Sequence, residues 1–455
     1  LLIHKAPANV LDLKVQTHLT PLSLSKLWHE APIFFKGTAP LKLHYQRDAK
    51  KRGTLALDIN LKEAEVNTLV YKKEFGVPAT LLLKGRYEKG RLQHMDTLSF
   101  KDENKWAIEG TADFSQKEGV LSTLNLVWFQ GAKEVLKATY LPLKDGVRFL
   151  DLKTRQIDLK NFMDTDLADL SDPKHLKENP VDAEPMRVHF DAQKVSFGKE
   201  MGLLNNVLDL YMEQGLIQNL SYTGLTEESV QGNREVFAQI YQTKKGALRK
   251  LRIQTEQGGA FLRALDVFDN IRGGKFKLIA YHDPAFRKEE WVGKIKVRDF
   301  VLLKAPLLTR IFSLFPTGGA ELTSGKGMKF KLMKMRFGAS SKAFKIHGSR
   351  AHGISIGFNL SGEIERGDKG RLNLQGTMIP LYVVNTLVSK IPLIGEVISG
   401  GKNEGLFSVA FYIAGNKDKP EISANPFSFI TPGITRNIFP SQETSLTRDD
   451  HWIDE

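Results

Sequence analysis

The sequence predicts an all-β, mainly antiparallel protein, built as an elongated, curved β-groove with a few short amphipathic helices. Three observations predict it. Apolar residues recur at every second position, glycine-centred turns separate these runs at short intervals, and the meander shows no βαβ crossovers. Leu55, Leu57, Ile59 and Leu61 alternate with Ala56, Asp58 and Asn60, which puts one face of a strand in the core and the other in water. The same period returns in Phe276-Lys277-Leu278, Met328 to Leu332, Phe344-Lys345-Ile346 and Leu372-Asn373-Leu374. Between such runs stand Glu88-Lys89-Gly90, Lys117-Glu118-Gly119, Lys144-Asp145-Gly146, Lys244-Lys245-Gly246 and Gly367-Asp368-Lys369-Gly370, residues suited to tight hairpins.

Three segments interrupt the pattern. From Asp164 to Met186 the chain gathers seven acidic residues with Pro173, Pro180 and Pro185, the composition of a linker. This divides the chain into a β-rich segment 1–163, an acidic linker 164–187 and a C-terminal domain 188–440. In Ala305 to Phe315, Pro306 starts a helical stripe at Leu307, Leu308, Ile311, Phe312 and Phe315. Tyr382 to Ser399 reads as two short apolar helices parted by Ile391-Pro392. The polar residues 441–455 read as a disordered tail.

Composition narrows the function. The 455 residues contain no cysteine, which removes disulfides, thiolate metal sites and thiol nucleophiles. Lys and Arg number 65 against 52 Asp and Glu, a net charge of +13. The basic residues are spread in ones and twos, as in Lys294-Ile295-Lys296-Val297-Arg298, and read first as the wet face of strands. A nucleic-acid surface with interleaved stacking aromatics is missing. The opening residues make no signal peptide, and the chain lacks an initiator Met, so it reads as a cut-out segment. The longest uncharged run near the C-terminus falls short of the about 20 apolar residues a spanning helix needs.

Catalytic motifs fail on context. Gly353-Ile354-Ser355-Ile356-Gly357 matches a nucleophile elbow, but strand alternation continues after it, and Ser355 reads as an ordinary strand residue. The eleven histidines form no zinc pattern, and His347 and His352 read as lying on different strands. No phosphate-cradling loop is present. The chain is therefore read as a non-enzyme without cofactor or metal.

A sheet with one apolar face needs a cover, since open apolar area costs about 25 cal/mol per Å². A second layer would supply it, and so would a ligand with an apolar body, such as lipid acyl chains. At this point the order of motifs carries weight: Val297-Arg298-Asp299-Phe300, Ala305-Pro306, Gly325-Lys326-Gly327-Met328-Lys329-Phe330, Gly353-Ile354-Ser355-Ile356-Gly357 and Leu360-Ser361-Gly362-Glu363-Ile364. They are followed by Gly376 to Asn385, Ile391-Pro392-Leu393-Ile394-Gly395, Gly405-Leu406-Phe407, Asn425-Pro426 and Pro432 to Phe439. This series, over residues 188 to 440, resembles the AsmA-like C-terminal region of bacterial envelope bridge-like lipid-transfer proteins. Thr377-Met378-Ile379 departs from the smaller apolar run common there.

The resemblance implies non-enzymatic phospholipid transport across the periplasm through an apolar groove, supporting outer-membrane lipid homeostasis. It also implies tethering to the inner membrane by an N-terminal helix absent from this chain, with both envelope membranes and other envelope proteins as partners. The alternative is a scaffold or assembly factor for outer-membrane biogenesis that conducts no lipid. The expected groove lining is Phe276, Leu278, Phe330, Leu332, Phe344, Ile346, Ile356, Phe358, Leu372, Leu374, Phe411 and Ile413. Charged substitutions at Phe330, Ile356 and Phe358 are expected to abolish lipid co-purification while leaving the fold soluble. A cap or membrane contact is expected at Tyr382, Leu387, Leu393, Ile394, Val397, Phe427 and Phe429.

Overall fold

A computed structural model describes residues 2–5, 11–25, 35–67, 72–115, 120–131, 133–143, 146–160, 185–213, 216–227, 233–242, 248–282, 291–303, 327–340, 342–353, 356–367, 370–380, 409–416 and 419–425. The fold is all-β and mainly antiparallel, with two short helices among the described residues. The chain separates into two compact units, which interleave near residue 200. One takes 1–163, 179–198 and 204–217, and the other takes 164–178, 199–203 and 218–455.

In the first unit the strands in chain order are β1 (Leu2–Lys5), β2 (Leu11–Leu19), β3 (Phe35–Gly37), β4 (Ala39–Arg47), β5 (Arg52–Asn60), β6 (Ala64–Asn67) and β7 (Lys72–Lys73). They continue with β8 (Ala79–Glu88), β9 (Arg91–Asp102), β10 (Trp106–Phe114), β11 (Leu121–Gln130), β12 (Lys133–Pro142), β13 (Arg148–Asp158), β14 (Met186–Ser196) and β15 (Gly202–Glu213). Strands β1, β2, β4, β5 and β8 to β13 pair antiparallel, each with the next. Strands β3, β6 and β7 form a separate small sheet. Turn chemistry fixes register: Glu88 faces Arg91 across two residues, Lys89 at φ 51° and Gly90 at φ 81°, the doubly positive turn whose twist matches a hairpin.

One pairing departs from the meander. Strand β14 lies parallel to β13, Leu150 facing Val188 and Leu152 facing Phe190. A parallel neighbour has to be reached by a crossover. The acidic, proline-bearing stretch therefore connects two adjacent strands, and Met186–Ser196, of which the sequence assigned 186–187 to the linker and 188–196 to the C-terminal domain, pairs within the first unit.

The second unit contains β16 (Leu216–Thr226, from residue 218), β17 (Glu235–Gln242), β18 (Arg249–Thr255), β19 (Ile271–His282), β20 (Trp291–Leu302), β21 (Met328–Ala339) and β22 (Ala343–Gly353). It ends with β23 (Ile356–Glu365), β24 (Arg371–Pro380), β25 (Val409–Asn416) and β26 (Lys419–Asn425). Every strand here pairs antiparallel with the next in sequence. Among the described residues β26 pairs only with β25, so this sheet is open at that edge.

A short helix (Gly258–Ala264) closes one end of the apolar face and buries Phe261 and Ala264. Phe261 packs on Phe276 with ring centroids 5.5 Å apart. The helix lies so close to β19 that a Cβ on Gly259 would stand 2.6 Å from the Ile271 carbonyl oxygen. Backbone cannot retreat as a side-chain tip can. Gly259→Val is therefore expected to destabilise the fold by about 1–3 kcal/mol, read from the urea midpoint. Lys199 fastens the following turn through Asp266 at 2.5 Å and Asp269 at 2.6 Å.

Candidate functional site: the apolar faces of the two units

Strand register turns the period-two pattern into rows of side chains that run across the strands. In the second unit one row is Thr255, Phe276, Val297, Met333, Ala351, Phe358 and Met378, each directly opposite the next. The next row is Ile253, Leu278, Ile295, Met335, Ser349, Leu360, Gly376 and Phe411. A third carries Ala280, Gly293, Phe337, Ile346, Gly362, Leu374, Ile413 and Ile422. Most of the apolar members of these rows belong, with Phe330 stacked on Phe300 at 5.1 Å, to one hydrophobic cluster, while Ala280 and Phe337 lie outside it.

Most of the expected lining falls in that cluster. Phe276, Phe330, Ile346, Ile356, Leu374, Phe411 and Ile413 are buried, while Leu278, Phe344, Phe358 and Leu372 are half-buried and packed against them. Leu332 is the exception. It lies opposite Arg298 and His352, outside the cluster, whereas Phe330, Met333 and Met335 are in it. A register irregularity between Phe330 and Leu332 changes the parity of the strand, which strict alternation cannot anticipate.

Phe330 and Ile356 are each only 2% exposed. The expectation that both tolerate a charge is therefore overturned, because a buried carboxylate has no water and no partner there. The half-open part of the face lies elsewhere. Ile253, Leu278, Ile295 and Met335 form a contiguous stretch of half-buried side chains, of which only Leu278 was expected from the sequence. The residues expected to form a cap, Tyr382, Leu387, Leu393, Ile394, Val397, Phe427 and Phe429, and the 305–315 helix lie outside the described residues.

A comparable face, missed from the sequence as a site, belongs to the first unit. Val15, Leu43, Leu57, Leu83, Leu98, Gly110, Leu126, Ala138, Leu152 and Phe190 succeed one another across ten strands in direct register. All of them except Ala138 are half-buried. On one side runs the better-covered row Leu41, Ile59, Leu81, Phe100 and Ile108. The leucine alternation in residues 55–61 was the available signal. It fixed a face without saying that neighbouring strands would continue it.

Polar clusters on the described residues read as structural. His94 directs Nδ1 to Asp113 and Nε2 to Asp96, so both ring nitrogens are engaged by carboxylates. The Thr123 hydroxyl, then His94, hold Asp113 below the ordinary carboxylate value. Its stabilising contribution is present above the unfolded-state value and is lost as pH falls through the folded one. Thr123→Val is expected to move Asp113 back upward in a carboxyl-carbon NMR titration. Lys73 is buried, donates to the carbonyls of Ala64 and Glu74 at 2.6 and 2.9 Å, and is held below its ordinary value by lost hydration. Arg249 donates to His282 Nδ1 at 2.6 Å, again in a buried position.

The elbow-like motif joins strand to strand, since His352 pairs with Gly357 across the β22–β23 hairpin, and Ser355 itself lies outside the described residues. His347 and His352 share strand β22, not two strands as the sequence suggested. No group of three metal-ligating side chains occurs among the described residues. No described helix is long and apolar enough to cross a membrane. Comparison with family models, curated proteins and solved structures gives no match, so the AsmA-like resemblance rests on the ordered motifs alone.

Proposed function

We propose that the protein is a non-enzymatic phospholipid carrier of the bacterial envelope, holding acyl chains against the apolar faces of its sheets with the headgroups left in water. The observation that carries this reading is the half-buried row from Val15 to Phe190. An ordinary core would be covered, whereas a row left half-open on nine of its ten strands offers length and uniformity, which suit a sliding hydrocarbon chain better than one fixed ligand. The motif series in residues 188–440 supports the periplasmic, inner-membrane-tethered setting.

A scaffold with a dry core is the second reading, favoured by the near-complete burial of Phe330, Ile356 and Met378. Solvent extraction of the chain purified without detergent separates the two. Phospholipid at a reproducible ratio to protein, replaced on incubation with a fluorescent phospholipid, is the expected result. Lipid-free protein that takes up none of the probe leaves the scaffold.

A further inference from the structure

The outer face of the second unit's sheet departs from the pattern of the first. In the first unit, outward cations meet carboxylates: Arg86 with Asp96 at 2.8 Å, Lys101 with Glu109 at 3.7 Å, and Lys137 and Lys153, although opposite each other, pair with Glu134 at 3.2 Å and Asp151 at 2.8 Å. In the second, Lys277, Lys296, Lys334 and Arg350 stand directly opposite one another on four successive strands. Flanking them, Lys294 faces Arg336, and Lys275 faces Arg298. Like charges in direct cross-strand register repel, so this arrangement costs stability that alternating signs would have recovered.

Acidic residues reach only the margin of this patch. Glu256 pairs with Lys275 at 2.5 Å and Asp299 with Lys331 at 3.8 Å. Among the described residues no carboxylate pairs with the middle row of four. Lys296, at its centre, is held below its ordinary value, first by lost hydration and then by Arg298, Lys334 and Lys277. The field is that of a surface awaiting an anion.

We propose that this basic face binds the anionic headgroup surface of a phospholipid membrane. The geometry selects that partner over a nucleic acid. Three of the four central cations are lysines, compact charges that meet phosphates without demanding a fixed orientation. Tyr281, on the same strand as Lys277, already carries Lys250 over its face at 5.2 Å, and no aromatic stands between the four cations in the row to stack a base. Rows repeated across four strands at about 4.8 Å spacing form a broad area rather than a groove. A headgroup layer engages all of it, and a duplex only a strip. This contact does not depend on whether the apolar faces carry lipid.

The test is flotation of the full 455-residue chain with vesicles of phosphatidylcholine alone, and of phosphatidylcholine with phosphatidylglycerol. Flotation is expected only with the anionic vesicles, with release by salt. The triple variant Lys296→Gln, Lys334→Gln, Arg350→Gln should lose on the order of a hundredfold in partitioning, since each basic residue near such a surface contributes roughly fivefold. Relief of repulsion predicts that it melts no lower than the parent. Lys14→Gln, Lys42→Gln, Lys84→Gln removes the same charge from the first unit's outer face and should bind as the parent does. Equal weakening by both triple variants, equal flotation with neutral vesicles, or retention of a DNA duplex without flotation would each overturn the proposal.

Discussion

Phe330→Ala is expected to destabilise the second unit by about 3–5 kcal/mol, the range for deleting a buried aromatic ring that its neighbours cannot replace. Phe330 stacks on Phe300 at an interplanar angle of 11° and meets Phe358 edge-on with centroids 5.6 Å apart. With Phe300 and Phe358 it joins residues of three strands, so its loss opens a space among side chains held on paired strands, which relaxes little. Phe358→Ala, at a half-buried position, should cost less, because part of that ring already faces water. Urea unfolding followed by circular dichroism measures both. Equal midpoints for the two variants would mean that the Phe300–Phe330 stack is not the centre of the core.

The same pair of residues shows how far the sequence could be read. Period two places Phe330 and Phe358 on the apolar face, which is where both stand, because alternation is a property of the single strand. How deeply each is covered depends on neighbours on other strands, such as Phe300 over Phe330, and alternation within one strand is silent about it. Leu332 marks another boundary. An irregularity beside Lys331 reverses the parity of the strand without a glycine or proline to announce it, so the side chain lies off the cluster. The parallel pairing of Met186–Ser196 was hidden for a third reason. A proline-bearing acidic stretch has the composition of a linker whether it joins two domains or returns the chain to an adjacent strand. Turns were legible because their chemistry is local, as Lys89-Gly90 shows. The leucine row of the first unit was half legible: each strand announced its face, and only register made ten faces into one surface.

Putting a carboxylate at two half-buried positions, Leu278→Glu with Met335→Glu, is expected to lower bound phospholipid more than tenfold while leaving the unfolding midpoint nearly unchanged. Leu278 and Met335 flank Ile295 on adjacent strands, so the pair interrupts one row at its middle. Partial exposure lets each carboxylate keep much of its hydration, which is why the fold should survive what Phe330→Asp would not. An acyl chain crossing that row would give up roughly two or three methylene contacts at about 0.8 kcal/mol each, enough for more than a decade in affinity. Leu278→Met with Met335→Leu keeps the row apolar at similar volume and should retain the lipid. The readout is phospholipid phosphorus per protein after solvent extraction, beside a urea curve for each variant. Undiminished lipid in the doubly charged variant would take this face out of the carrier and leave the first unit's leucine row to bear it.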